Sequence, residues 1–331
     1  VQDFRLAIVS GILLGSIAFW NGSALIGALS VLFILAICSE RRIEFLIMAV
    51  IAAGLSMLQA SFFIDGSAVS TEFYFGFLAD NPTLFGVIDY LKRLLGILRV
   101  ILIAAFLAGN TIRKYLMAAF LAPMVLAFTI SLTPDVTVNH KYIMIALMLL
   151  GILAADYLIL LFEEQKIWLT LAGILIVILL TVTGIYDYTT IIRKNQSRFS
   201  IVFDLDDNLS NWIENNSNSK DIFLTSNYSL NRVVLGGAML YQGWAYYAWS
   251  AGYDTVARDA QVKLMYEANS REALRSYVNR NHIRYIIVDN DNRISNEYDL
   301  NEDNIKNTYS CVYQDGEGEW TSSVYDTQKE K

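Results

Sequence analysis

The chain has 331 residues, a formal net charge of −7 and 55% hydrophobic residues. Its charges are unevenly spread, with 22 in positions 1–189 and 35 in positions 190–331. An apolar half joined to a polar half excludes a single globular domain, and with neither half basic the pattern argues against nucleic acid as a partner. Cys38 and Cys311 lie one in each half, too few and too far apart for a disulfide framework or a thiolate metal site. His140 and His282 alone exclude a histidine-rich metal centre.

A helix needs about 20 apolar residues to cross the hydrocarbon layer. Runs of that kind fall at 6–20, 24–38, 43–63, 94–109, 116–133, 143–162 and 167–187. They predict an α-helical polytopic membrane bundle of about seven spans over 1–189, followed by a small α/β domain over 190–331. The first two runs are short and joined by Asn21-Gly22-Ser23. They read as a spanning hairpin stopped by Ser39-Glu40-Arg41-Arg42, with a re-entrant pair as the alternative. Arg5, Arg41, Arg42, Arg113, Lys114 and Lys166 fall in one set of loops, and basic loops stay cytoplasmic. That bias predicts a multi-pass cell-membrane protein with its amino end inside and its polar half extracytoplasmic. The chain opens on Val1 rather than Met and enters a helix almost at once, as expected of a processed, truncated or partial sequence.

Within the polar half, 207–216 has helical spacing, with Leu209, Trp212 and Ile213 on one face. Residues 221–226 read as a buried strand, and 233–235 as a second strand ending at Gly236-Gly237. Two helices are predicted over 255–267 and 271–281, then the strongest strand of this half over 282–290. Two weaker strands, 309–314 and 321–327, flank the turn Asp315-Gly316-Glu317-Gly318. The order suggests a small α/β domain with a partly parallel sheet. No G-x-G-x-x-G follows a strand, so a dinucleotide site is unsupported.

The loop 134–142 joins two predicted spans and carries His140, Lys141 and Tyr142. At a membrane surface these supply a titratable donor, a point charge and an interfacial ring suited to a lipid phosphate, or they merely anchor the loop. Arg99 lies near the outer end of the fourth run and Asp156 inside the sixth, and a charge inside a span is a functional hypothesis by default. In the long loop 64–93, Asp65 and Asp89 adjoin helix ends and are candidate oxygen ligands for a divalent cation (Mg or Mn), although scattered carboxylates also suit a solvated loop. Residues 84–91 suggest a half-buried surface helix. The stretch 242–254 is dense in aromatic and small residues. Trp244, Trp249 and Tyr253, with Asp254 and Arg258 nearby, suit either a sugar-binding platform or a docking surface.

Taken together, the late loop Asn139-His140-Lys141-Tyr142 before a long span, the α/β tail, and its segments 221–226, 243–254 and 284–289 resemble the carboxyl-terminal half of a prokaryotic GT-C superfamily membrane glycosyltransferase. The resemblance implies transfer of a sugar from a polyprenyl-phosphate carrier to a glycan, lipid or protein acceptor on the outer face. It implies His140, Lys141 and Arg99 as lipid-phosphate contacts, and an acidic base or metal ligand in the first outer loop. That loop is here only Asn21-Gly22-Ser23, so no catalytic base is assigned, and the expectation is that the catalytic amino-terminal part lies upstream of Val1. The competing expectation is a non-enzymatic transporter or scaffold with an extracytoplasmic binding domain, although no internal repeat of the transporter kind is evident.

Overall fold

A computed structural model describes residues 4–63, 71–194, 204, 206–227, 232–250 and 252–331. It divides into two compact units, Val1–Ser200 and Ile201–Lys331.

The first unit contains α1 (Phe4–Ser16), α2 (Gly22–Cys38), α3 (Arg42–Phe63), β1 (Glu72–Phe73), α4 (Leu84–Leu95), α5 (Leu98–Ala108), α6 (Thr111–Thr129), β2 (Ile130–Ser131), α7 (His140–Glu163) and α8 (Ile167–Lys194). Among the described residues four helices are long and apolar enough to cross a membrane: Arg42–Phe62, Thr111–Thr129, Val136–Glu163 and Ile167–Lys194. Phe4–Phe19, Gly22–Cys38 and Leu98–Ala108 are apolar but shorter. The expectation of seven spans therefore meets four helices of spanning length and three shorter ones.

The fourth predicted run, 94–109, is divided rather than continuous. Gly96 adopts φ +49 at the carboxyl end of α4, a left-handed conformation open to glycine, and α5 starts afresh two residues later. At about 1.5 Å per residue α5 covers roughly 17 Å, little more than half of the ~30 Å hydrocarbon layer. Helix α4 is amphipathic, burying Val87 while Phe85 faces outward, as the half-buried surface helix predicted there requires. β1 pairs antiparallel with β2, which fixes the long loop to the α6–α7 connection. Beneath it Phe77, Tyr90 and Phe128 form an edge-to-face triad with centroids 5.6–6.0 Å apart.

Helix packing in this unit uses small residues. A Cβ on Gly11 or Gly15 of α1 would stand 2.9 Å from Ile51 or Leu55 of α3, so the two helices meet at glycine distance. The core is centred on α6 and α7, with Ala127, Ala146 and Leu150 fully buried. Large apolar side chains such as Phe33, Val50, Ile103, Met148 and Leu175 face outward. A water-facing surface rarely tolerates so many, whereas a bilayer takes them without cost, and on that ground the unit is membrane-associated.

The second unit contains α9 (Asn208–Asn216), β3 (Ile222–Leu224), α10 (Arg232–Leu235), β4 (Met239–Leu240), α11 (Ala245–Ser250), α12 (Val256–Tyr266), α13 (Arg271–Arg280), β5 (Tyr285–Val288), α14 (Asn290–Arg293), α15 (Glu302–Thr308), β6 (Tyr309–Asp315) and β7 (Ser322–Glu330). Its five-stranded sheet has the order β4-β3-β5-β7-β6. β3 runs parallel to β4 and β5, while β7 is antiparallel to β5 and β6. The residues 233–235, expected as a strand, form α10 instead. Val233 is drawn into the core beside Leu209 and Ile213, and the strand begins after Gly237, which turns the chain at φ +78.

Alternation along the strands builds two cores. Phe223, Tyr285, Ile287 and Val324 pack with α9 and α10 on one face. Leu224, Ile286, Val288 and Tyr325 pack with α12, α13 and α15 on the other. Continuous apolar runs such as Tyr285-Ile286-Ile287-Val288 follow from this, because both faces are covered.

An ion pair locks the end of β5 to the far side of the second core. Arg293 donates through Nε and Nη2 to the two carboxylate oxygens of Glu302, each at 3.0 Å, and Lys306 approaches the same group at 2.9 Å. The Arg293 hydrogen bonds, foremost, hold the Glu302 carboxyl down at about 2 against an ordinary 4.5. A depressed carboxylate stabilises the fold above its unfolded value and loses that contribution as pH falls through the folded one. Thermal unfolding of the second unit, followed by tryptophan fluorescence in the full chain, is therefore expected to lose stability between pH 4.5 and about 2. Glu302→Gln should flatten that dependence, and equal acid sensitivity in both proteins would show that the pair contributes nothing.

Candidate functional site

Two places in the molecule concentrate chemistry, one in each unit. In the second unit β3 is followed by β4 on one side and by β5 on the other, so neighbouring parallel strands leave β3 in opposite directions. In open α/β sheets ligands bind outside the carboxyl ends of the strands at such a switch point. At that place the structure has a cleft of about 720 Å³ lined by Ser226, Asn227, Trp244, Asp291, Glu297 and Tyr298. A second lobe of about 590 Å³ shares Asn227, Trp244, Glu297 and Tyr298 and adds Asp259 and Lys263. Each volume falls in the range of about 300–1,000 Å³ usual for small-molecule sites.

Its walls are held from behind. Tyr298 stacks on the buried Tyr266 with centroids 4.6 Å apart. The Tyr266 hydroxyl donates to the Ile287 carbonyl at 2.9 Å, and Asn292 Nδ2 donates to the Tyr298 hydroxyl at 2.9 Å. Burial, above all, pushes the Tyr298 hydroxyl up to about 12, so it stays neutral across the physiological range. Asp289 caps α14 by a reciprocal capping box with Asn292, and burial raises its carboxyl above the ordinary value. Within the lining Asn227 donates its amide N–H to the Glu297 carboxylate, and Gln242, outside the lining, donates to Asp259 of the second lobe.

The sequence-predicted residues of this half separate. Trp244 lines the cleft, with its ring 5.3 Å from Tyr246 and 5.1 Å from Tyr247. Trp249 joins the same exposed aromatic cluster through Tyr246, at 5.9 Å. Tyr253 is exposed, and Asp254 accepts from the Val256 N–H at 3.0 Å, turning the chain into α12. Arg258 donates to the Tyr241 carbonyl at 2.7 Å with its guanidinium over the Tyr241 ring. Sequence reasoning missed Ser226, Asn227, Gln242 and Glu297. The signal available was positional, since Ser226 and Asn227 follow directly on β3.

In the first unit the predicted loop residues are shaped by Asn139, which is 1% exposed. Its side-chain N–H₂ donates to the Ala127 carbonyl at 3.0 Å and to the Ile130 carbonyl at 2.7 Å, satisfying backbone oxygens freed where α6 ends. The next residues open α7. His140 is exposed and donates from Nδ1 to the Thr137 carbonyl at 2.7 Å, which leaves Nε2 for a ligand. Lys141 is exposed and has no ion pair among the described residues. Tyr142 departs from the interfacial ring expected there: it is 3% exposed and packs in the α6–α7 core.

Arg99 is exposed in the first turn of α5. α5 and α6 are joined by only two residues, and α6 and α7 by the 130–139 loop, so the amino ends of α5 and α7 lie at one end of the bundle. Several other charges of this unit are paired. Arg93 meets Asp89 at 2.7 Å and Asp80 at 3.6 Å, and Arg113 grips Asp156 with two bonds of 2.7 and 3.2 Å. Asp156 thus finds its partner on the neighbouring helix, as intramembrane charges do. Asp89 is engaged by an arginine and Asp65 lies outside the described residues. Among the described residues no three His, Cys, Asp or Glu side chains converge, so the divalent-cation expectation gains no site there.

No protein-family model matches the chain. No curated protein matches it significantly. The functional reading therefore stands on the residues themselves.

Asn139 gives a direct check on the loop. Asn139→Ala strands two carbonyl oxygens at the end of α6, and leaving buried polar groups unmet costs about 1–3 kcal/mol. The variant should lower the thermal midpoint of the bundle in nanodiscs and raise protease nicking within 130–139. An unchanged midpoint would mean that lipid or water already satisfies those oxygens.

Proposed function

We propose that the chain belongs to a membrane glycosyltransferase that moves a sugar from a polyprenyl-phosphate carrier to an acceptor outside the cytoplasm. The observation that carries this reading is the exposed pair His140 and Lys141 at the start of α7, at the same end of the bundle as Arg99. Arg99 and Lys141 have no carboxylate partner among the described residues, as is also true of Lys92 and Lys114, so their charges are open to an anion from outside the chain. His140 and Lys141 follow a 3-10 turn, Val136–Asn139, in which Asp135 accepts from the Thr137 N–H and the His140 N–H is already bonded, so their exposed side chains are what they offer a phosphate.

The chemistry suits those residues. In transfer, the bond between the anomeric carbon and the phosphate oxygen breaks as a bond to the acceptor oxygen forms, and the acceptor proton passes to a general base. Negative charge collects on the departing phosphate, and fixed cations beside it lower the barrier. Lys141 offers a point charge and His140 a second donor, and the four spanning-length helices suit a lipid-borne donor. The basic loops on the opposite side support an extracytoplasmic placement of this end.

Lys141→Ala and His140→Ala should each reduce transfer of labelled sugar from a polyprenyl-phosphate hexose by about tenfold or more, the worth of one charge-assisted contact. Helicity by circular dichroism should not change, since both side chains are exposed. Binding of polyprenyl phosphate, with neutral polyprenol as control, should fall in parallel. Wild-type turnover and binding in both variants would remove the pair from the mechanism.

A further inference from the structure

Two polar atoms on residues lining the cleft at the β3/β5 switch point, and a third on Gln242 beside the lining residue Asp259, have no hydrogen-bond partner among the described residues. They are the buried Ser226 Oγ, Asn227 Oδ1 and Gln242 Oε1. Ser226 is 3% exposed and Gln242 8% exposed as whole residues. Buried polar groups are nearly always paired, and each one left alone costs about 1–3 kcal/mol. Three together, all on the segments that leave β3 and β4 at one edge of the sheet, mark a place built for a ligand rather than a lapse in packing.

The chemistry of the ligand follows from the kind of vacancy. Both amides donate N–H to carboxylates, Asn227 to Glu297 and Gln242 to Asp259, which leaves the carbonyl oxygen of Asn227, a lining residue, and that of Gln242 without a donor among the described residues. Asp291 adds a third carboxylate to the lining. The site is rich in acceptors, so the ligand must be rich in donors. Three carboxylates repel phosphate and nucleotides, and only Lys263 opposes them in the lining, itself 3.6 Å from Glu267. Among the described residues no three acidic, His or Cys groups converge as a metal would need. Trp244 supplies a broad apolar face beside these acceptors. A pyranose presents hydroxyl donors on its rim and C–H bonds on its face, which matches both features.

We propose that this cleft is a saccharide-binding site, with Ser226 and Asn227 taking sugar hydroxyls, Gln242 holding the lining carboxylate Asp259, and Trp244 stacking on the ring face. The inference deepens the glycosyltransferase reading by assigning the second unit the neutral glycan. It stands on binding alone, so its failure is separate from failure of the phosphate site.

The test uses the full chain in lipid nanodiscs, free of sugar-based detergents, with the methyl glycosides of glucose, galactose and N-acetylglucosamine as probes. Saturation-transfer NMR and tryptophan fluorescence report binding. At least one glycoside should bind saturably, and Trp244→Ala and Ser226→Ala should each weaken it by about tenfold, equivalent to ~1.4 kcal/mol. Ser226→Ala should leave the thermal midpoint unchanged or raised, because it removes an unpaired buried hydroxyl, an outcome that a structural role would reverse. Trp320→Ala, which deletes an exposed ring outside the cleft lining, should bind as wild type does. Tetramethylammonium serves as a competing probe for an acidic aromatic site. No binding of any glycoside, binding of tetramethylammonium alone, or equal loss in Trp244→Ala and Trp320→Ala would each overturn the proposal.

Discussion

A bilayer offers a peptide no hydrogen-bond partners, and that constraint governs the first unit. Backbone groups must be satisfied within each helix, so apolar sequence there becomes helix almost without choice. The places where helices stop carry the cost. At the end of α6 the freed carbonyls are met by the Asn139 side chain and by the short β1–β2 pairing, which together close the loop that presents His140 and Lys141. The division between α4 and α5 works similarly: Thr83 caps α4 at its start and Gly96 turns the chain at its end.

Charge in this unit obeys the same scarcity of solvent. Arg113 and Asp156 face one another from α6 and α7 with two hydrogen bonds, and Arg93 is divided between Asp80 and Asp89. Arg99 and Lys141, exposed at one end of the bundle, have no carboxylate partner among the described residues. A charge left uncompensated beside lipid is best kept where it meets an anion, and phosphate is the anion that a membrane surface supplies.

The second unit lives by water's rules and shows a different economy. Its two cores arise from strict alternation along β3, β5 and β7, while its polar groups are tightly paired, as Arg293 with Glu302 and Tyr298 with Asn292 show. The unpaired oxygens of Ser226, Asn227 and Gln242 stand out because their surroundings are otherwise so well satisfied. They occur where parallel strands diverge from β3, the one edge of the sheet where neither helix layer covers the chain by continuity of the fold.

Local patterning was enough to mark the apolar runs, the polar tail, a helix at 84–91 and a strand within 282–290, which the structure places at Leu84–Leu95 and Tyr285–Val288, because helix and strand periodicities are written into neighbouring residues. The same patterning misread 233–235, where a short apolar triplet suits strand or helix equally, and ran together 94–109, where one glycine conformation divides the chain. The loop 139–142 was legible as polar chemistry at a helix start. That Asn139 and Tyr142 serve the core while His140 and Lys141 face outward depended on helical phase against α6, which no local pattern contains. Trp244 was legible as an aromatic among small residues, whereas Ser226, Asn227, Gln242 and Glu297 were not. Their meeting is set by strand order and by crossovers that bring together positions about 70 residues apart, and only the tertiary structure decides that.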